Sequence, residues 1–112
     1  MIMIKLSERY YDEYFGDVYG IIVNGEEVGF VDFEEETDYV SVHLLTIRSD
    51  KRGNGYARGT VDLLKSMFPG KNLEGSSQGR GSTFWKSMGA TLRPDPDDNW
   101  FSIFELSNKE VN

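Results

Sequence analysis

Cysteine is absent from the 112 residues, and His43 is the only histidine. No disulfide framework, thiolate nucleophile or zinc–thiolate site can therefore form, and no metal centre is expected. Basic residues are scarce: 12 Lys and Arg stand against 19 Asp and Glu, for a formal net charge of −7. Non-specific nucleic-acid binding needs clustered cations, so nucleic acid is not an expected partner. Long apolar runs are missing too. None approaches the roughly 20 residues that span a bilayer, and no membrane association is expected. The start, Met1-Ile2-Met3-Ile4-Lys5, lacks the charged-then-apolar layout of a signal peptide. A cytoplasmic address fits these absences. What is present is a moderately apolar chain, 38% hydrophobic, with seven Phe, six Tyr and two Trp. That suits one compact domain over residues 1–112.

The apolar residues recur with two different periods. Val18 to Val23 is strand-like, Asn24-Gly25 is a tight-turn pair, and Val28 to Phe33 reads as the returning strand of a hairpin. Tyr39 to Arg48 is a longer apolar strand, expected to be buried on both faces for much of its length. Ala57, Val61, Leu64 and Phe68 carry helical spacing over 56–68, stopped by Pro69-Gly70. Asn72 to Gly75 reads as a short strand. A second helix, capped by Ser82 or Thr83, should run to Met88 and end at Gly89. Pro94 to Asp98 reads as a rigid acidic loop, and Trp100 to Leu106 as a last strand. The start of the chain suggests an edge strand, whereas the polar-aromatic run Glu8 to Phe15 has no assignable form. The class is α+β.

A strand that runs into a glycine-bearing loop and then into a helix is the feature with most chemistry in it. The first N–H groups of a helix have no internal partner, and the helix N-terminus carries about half a positive charge. A pyrophosphate can take those donors, and glycine lets the backbone come close to it. Arg52-Gly53-Asn54-Gly55-Tyr56-Ala57 occupies this place and fits [Q/R]-x-x-G-x-[G/A]. It is no P-loop, because no Lys-Ser/Thr follows the last glycine, and no dinucleotide fingerprint, because the third glycine is missing. A plain connection that uses glycine for its turn is the alternative.

Leu44 to Ala57 resembles the central acetyl-CoA motif of the GNAT N-acetyltransferase superfamily, and Thr83-Phe84-Trp85-Lys86-Ser87-Met88-Gly89-Ala90 resembles its second motif. The resemblance covers about residues 18–106. It implies a twisted, mostly antiparallel sheet in which a splayed strand pair binds CoA. It also implies that Gly53, Asn54, Gly55, Tyr56 and Ala57, with Arg52, hold the CoA pyrophosphate of acetyl-CoA. Leu45, Thr46 and Ile47 would pair with pantetheine, and a backbone N–H near Ile47 would polarise the thioester carbonyl. The family usually places two helices between its first and second strands. Here only about ten residues are available, so that wall is truncated.

Single residues admit two readings each. His43 is a candidate general base, because imidazole is the side chain suited to that work near neutral pH, or is an ordinary strand histidine. Trp85 stands where the family often has a Tyr that returns a proton to the CoA thiolate; indole cannot do so, and a packing role is the alternative. Gln78 and Ser77 lie near the position of an Asn that touches the CoA arm, or belong to a plain glycine-serine loop. Arg48, Lys51 and Arg80 meet CoA phosphates or are solvated. Glu34, Glu35 and Glu36, with Asp38, either attract a cationic amine acceptor such as a protein lysine or form a solvated turn. Transfer of acetyl to an amine is the leading expectation. The competing ones are a GNAT-fold protein that only binds CoA or a partner, and an unrelated interaction domain. An exposed sheet edge would also suit a homodimer.

Overall fold

A computed structural model describes residues 3–109. The described chain forms one seven-stranded sheet, in the order β1-β2-β3-β4-β5-β7-β6, with two α-helices. The strands are β1 (Ile4–Asp12), β2 (Gly16–Val23), β3 (Glu26–Glu35), β4 (Tyr39–Ile47), β5 (Asn72–Ser77), β6 (Thr91–Asp95) and β7 (Asp98–Leu106). Helix α1 (Tyr56–Met67) links β4 to β5, and α2 (Arg80–Ser87) links β5 to β6. All neighbouring strands are antiparallel except β4 and β5.

Local chemistry accounts for much of this. Asn24 (φ 52°) and Gly25 (φ 79°) both take the positive φ that a tight hairpin turn needs, and β2 pairs with β3 around them. The helical stripe of α1 buries Val61 and Leu64 against Ile21, Val31, Val40 and Leu73 of the sheet. Helix α2 adds Trp85 to the same cluster, where its ring stacks on Phe104 with centroids 3.9 Å apart. Both helices thus cover one face of the sheet. Val18 is fully buried yet lies outside that cluster, and on the other face Phe15 of the β1–β2 turn reaches Phe30, centroid to centroid 5.4 Å. No described helix is long and apolar enough to cross a membrane.

Several sequence expectations need correction. The unassigned run through Tyr11 belongs to β1, which pairs along β2 from Ile4↔Val23 to Asp12↔Gly16. Asp12 terminates it by accepting the Tyr14 and Phe15 amides at 2.9 and 2.8 Å. The chain therefore turns straight from β1 into β2, and the helical wall expected in shortened form is replaced by a hairpin. Strand β4 is buried on one face only: Val40, Val42 and Ile47 are in the core, while His43 is exposed. Helix α2 begins at Arg80 behind Gly79 with no side-chain cap, because the Ser82 hydroxyl turns to Ser77 instead, 2.9 Å away. Pro94 and Asp95 are the end of β6, so only Pro96 and Asp97 remain as the turn into β7. Proline is tolerated there because β6 is an edge strand. Met1 and Ile2, part of the suggested first strand, lie outside the described residues.

Candidate active site

The parallel pairing of β4 with β5 covers only Tyr39↔Asn72, Val40↔Leu73 and Ser41↔Glu74. Beyond Ser41 the two strands diverge. From Val42 onward β4 keeps β3 on one side and has no strand on the other. The Arg48 amide donates to the Val28 carbonyl of β3 at 2.8 Å. Strand amides alternate in direction, so the Ile47 and Leu45 N–H groups face away from β3, into the opening. A β-bulge adds to this: register passes from Asp32↔Leu44 to Phe33↔Val42 and leaves His43 without a partner on β3.

Three cavities that share walls follow the opening. The outermost, about 260 Å³, lies over the glycine loop and is lined by Lys51, Arg52, Gly53, Gly55, Tyr56, Ala57 and Arg58, with Ile47 and Phe84. The middle one, about 320 Å³, runs along Leu45, Thr46 and Ile47 and faces Arg80, Phe84 and Trp85. The inner one, about 190 Å³, reaches Val42, His43 and Leu44 on β4 and Ser76 and Ser77 on β5. Together they make one groove from the start of α1 to the fork between the strands.

The outer end presents unpaired backbone donors and basic side chains. Gly55 caps α1 in the left-handed region (φ 78°), no side chain bonds the first-turn amides, and no acidic residue stands in that turn. Those N–H groups are left for a ligand. Lys51, Arg52, Arg58 and Arg80 gather here in a protein whose net charge is −7, although Lys51 Nζ is already paired with Glu26 Oε1 at 2.7 Å. Asn54 does not line the cavity. Its side-chain amide donates to the Lys51 carbonyl at 2.9 Å and holds the loop closed. Arg52 Nε donates to the Ile47 carbonyl at 3.1 Å, fixing the loop to the end of β4. Arg48, a suggested phosphate ligand, is instead 3.3 Å from Glu27.

The remaining candidates are spread out. Gln78 is exposed and does not line the three cavities, whereas Ser77 is buried and does. Glu34 and Glu35 border a separate cavity of about 490 Å³ with Arg9, Tyr19, Asp32, Phe33 and Phe68, which His43 also borders. Glu36 is not in that wall; its carbonyl accepts from Lys71 Nζ, which also reaches Glu35, both at 2.7 Å. His43 Nε2 lies 3.8 Å from Glu34 Oε2. Glu74, which no motif in the sequence marks, is placed at the fork by the β4–β5 register.

Solved structures of acetyltransferases superpose on this chain. The chain has the GNAT acetyltransferase fold. An acetyltransferase from Thermus thermophilus superposes with a TM-score of 0.70 at 19% identity, over 81% of this chain and 63% of that one. The ribosomal-protein-S18-alanine N-acetyltransferase of Escherichia coli gives 0.65 at 16% identity, over 85% of this chain and 70% of that one. Escherichia coli ElaA gives 0.58 at 18%, over 85% and 69%. This GNAT-fold chain thus spans less than two thirds of the Thermus protein. No protein-family model and no curated sequence matches it.

Proposed function

We propose that the protein transfers an acetyl group from acetyl-CoA to a primary amine by direct attack on the thioester. The observation that carries this reading is the continuous groove from the cationic, uncapped start of α1 to the β4–β5 fork. The first-turn amides of α1 and the backbone of Gly53 to Ala57 would hold the pyrophosphate, and the Leu45 and Ile47 amides would pair with pantetheine. Acetyl-CoA supplies the activated acyl group. From Ile47 to His43 is four residues of strand, about 13 Å. An extended arm laid along it carries the thioester to the inner end, so the polarising amide belongs nearer Leu45 and His43 than Ile47. The acceptor must be neutral at nitrogen when it attacks, and holding it against the thioester supplies much of the acceleration. A cationic amine, such as a protein lysine, suits the acidic surface.

Trp85 favours a second reading, in which the fold binds CoA without turnover, because it puts a buried indole where a phenolic acid would otherwise stand. A thiol of ordinary pKa, about 8.5, can be protonated by water, so this substitution alone does not prevent the reaction. Calorimetry with acetyl-CoA tests the reading. Gly55→Glu places a carboxylate at the pyrophosphate position and should weaken binding at least tenfold, about 1.4 kcal/mol. The apo melting temperature of the variant separates this from the strain of a side chain at positive φ. Absence of heat and of thermal shift with the wild-type protein would sink the assignment.

A further inference from the structure

Leu45 of β4 and Trp85 of α2 line both the middle and the inner cavities, so they stand at the junction between the two. Trp85 is only 5% exposed, and its ring lies 10° from parallel on Phe104. The side-chain hydrogen bonds of α2 are made by Ser82, Thr83 and Ser87, and the Trp85 indole makes none among the described residues. Every buried side-chain nitrogen and oxygen among the described residues nevertheless has a partner. The Trp85 N–H is therefore not sealed in the core. It opens on the groove that the ring lines. A buried indole normally finds an acceptor for its N–H, and it can only donate. Here that acceptor is left for a ligand. The Leu45 N–H enters the same junction from the β4 wall and suits the thioester carbonyl oxygen. The donor on the α2 wall then faces the sulfur.

We propose that the Trp85 indole N–H hydrogen-bonds the CoA sulfur and holds the leaving group as a thiolate, without giving up its own proton. The inference rests on the acetyl-transfer reading above. The amine lone pair forms the C–N bond at the thioester carbonyl carbon. The C–S bond breaks, and its electron pair goes to the sulfur. The indole keeps its proton throughout. The newly acylated nitrogen loses a proton to water, and the CoA thiolate takes one from water as it leaves. The surroundings make such a donor necessary. Val42 and Phe104 are buried in the wall of the inner cavity, and apolar walls disfavour a charged sulfur. A hydrogen bond to the charged form offsets that cost. Bonds of this charge-assisted kind shift an equilibrium about tenfold to a hundredfold.

The test needs no acceptor. The ionisation of the thiol in bound CoA is followed by thiolate ultraviolet absorbance against pH, in wild type and in Trp85→Phe. The variant keeps an aromatic ring beside Phe104 and removes the N–H. Wild type should ionise the bound thiol at a pH at least about one unit lower than the variant does, a tenfold difference. Arg80 and His43 border the same cavities and are present in both proteins, so the difference isolates the N–H. A second readout follows the N–H itself. Trp100, the other tryptophan, is 83% exposed on β7. In Trp100→Phe the Trp85 indole is alone, and its N–H resonance should move to lower field as bound CoA ionises. Equal thiol ionisation in wild type and Trp85→Phe overturns the assignment. So does an indole resonance that does not follow the titration, and that result stands whether or not Trp85→Phe folds. If CoA binds and neither readout responds, this inference falls alone. If the wild type gives no heat and no thermal shift with CoA or acetyl-CoA, the acetyl-transfer reading falls as well.

Discussion

Glu74 illustrates how one residue can be held against its own preference. Burial, and then the like charge of Glu105, raise its carboxyl pKa in the fold, while Arg93 opposes them. A carboxyl whose pKa is raised on folding costs stability when ionised. That cost is absent below the unfolded pKa and grows as pH rises through the folded one. Glu74→Gln should therefore melt higher than wild type at neutral pH, and the gap should close as the pH falls below about 4. Thermal melts of the two proteins across that range check the sign. Ser77 and Ser82, by contrast, satisfy each other at 2.9 Å, and no buried side-chain polar atom is left unpaired among the described residues.

At the level of elements, the divergence of β4 and β5 is what separates a site from a plain sheet, and Gly75 stands where it begins. A Cβ there would come within 2.5 Å of the Val42 carbonyl oxygen and 2.6 Å of the Phe104 ring. The ring fills the space over Gly75, and Trp85 stacks on its other side, forming the floor of the inner cavity. Gly75→Ala must push Phe104 off Trp85 or force β5 further from β4. Either costs about 1–3 kcal/mol. Chemical denaturation should show that loss, and acetyl-CoA affinity should fall with it. A variant as stable as wild type would mean that the fork tolerates a side chain that the geometry excludes.

For the whole molecule, charge is distributed unevenly. Cations line the glycine-loop end of the groove, although Lys51 is paired there with Glu26, and carboxylates border the cavity near His43. Glu34 and Glu35 border the cavity that shares His43 with the groove. If their field recruits a cationic amine, Glu34→Gln with Glu35→Gln should lower kcat/KM at low ionic strength and converge on wild type at high salt. Equal values at both salts would assign those carboxylates to solubility alone. Glu35 also pairs with Lys71, at an exposed site where an ion pair is worth little, so the double variant should keep its melting temperature.

The sequence by itself determined the parts that depend on short-range chemistry. Asn24-Gly25 demands a tight hairpin, the spacing of Val61 and Leu64 demands a helix with one buried face, and Gly55 ahead of Tyr56 marks an open helix start. The loop motif was legible because its residues are contiguous. Edge strands with mixed patterns were legible only in part: the start of the chain read as an edge strand, but its continuation to Asp12 is held by pairing with β2 rather than by its own alternation, and β6 carries a proline that reads as a loop. The tertiary structure alone decided the rest. Only pairing between distant strands could show that β4 and β5 part after Ser41↔Glu74. Only the same pairing could align Glu34, Glu74 and Glu105 on one face. Strand register is set by contacts across the sheet, and no local pattern encodes which side chains will meet there.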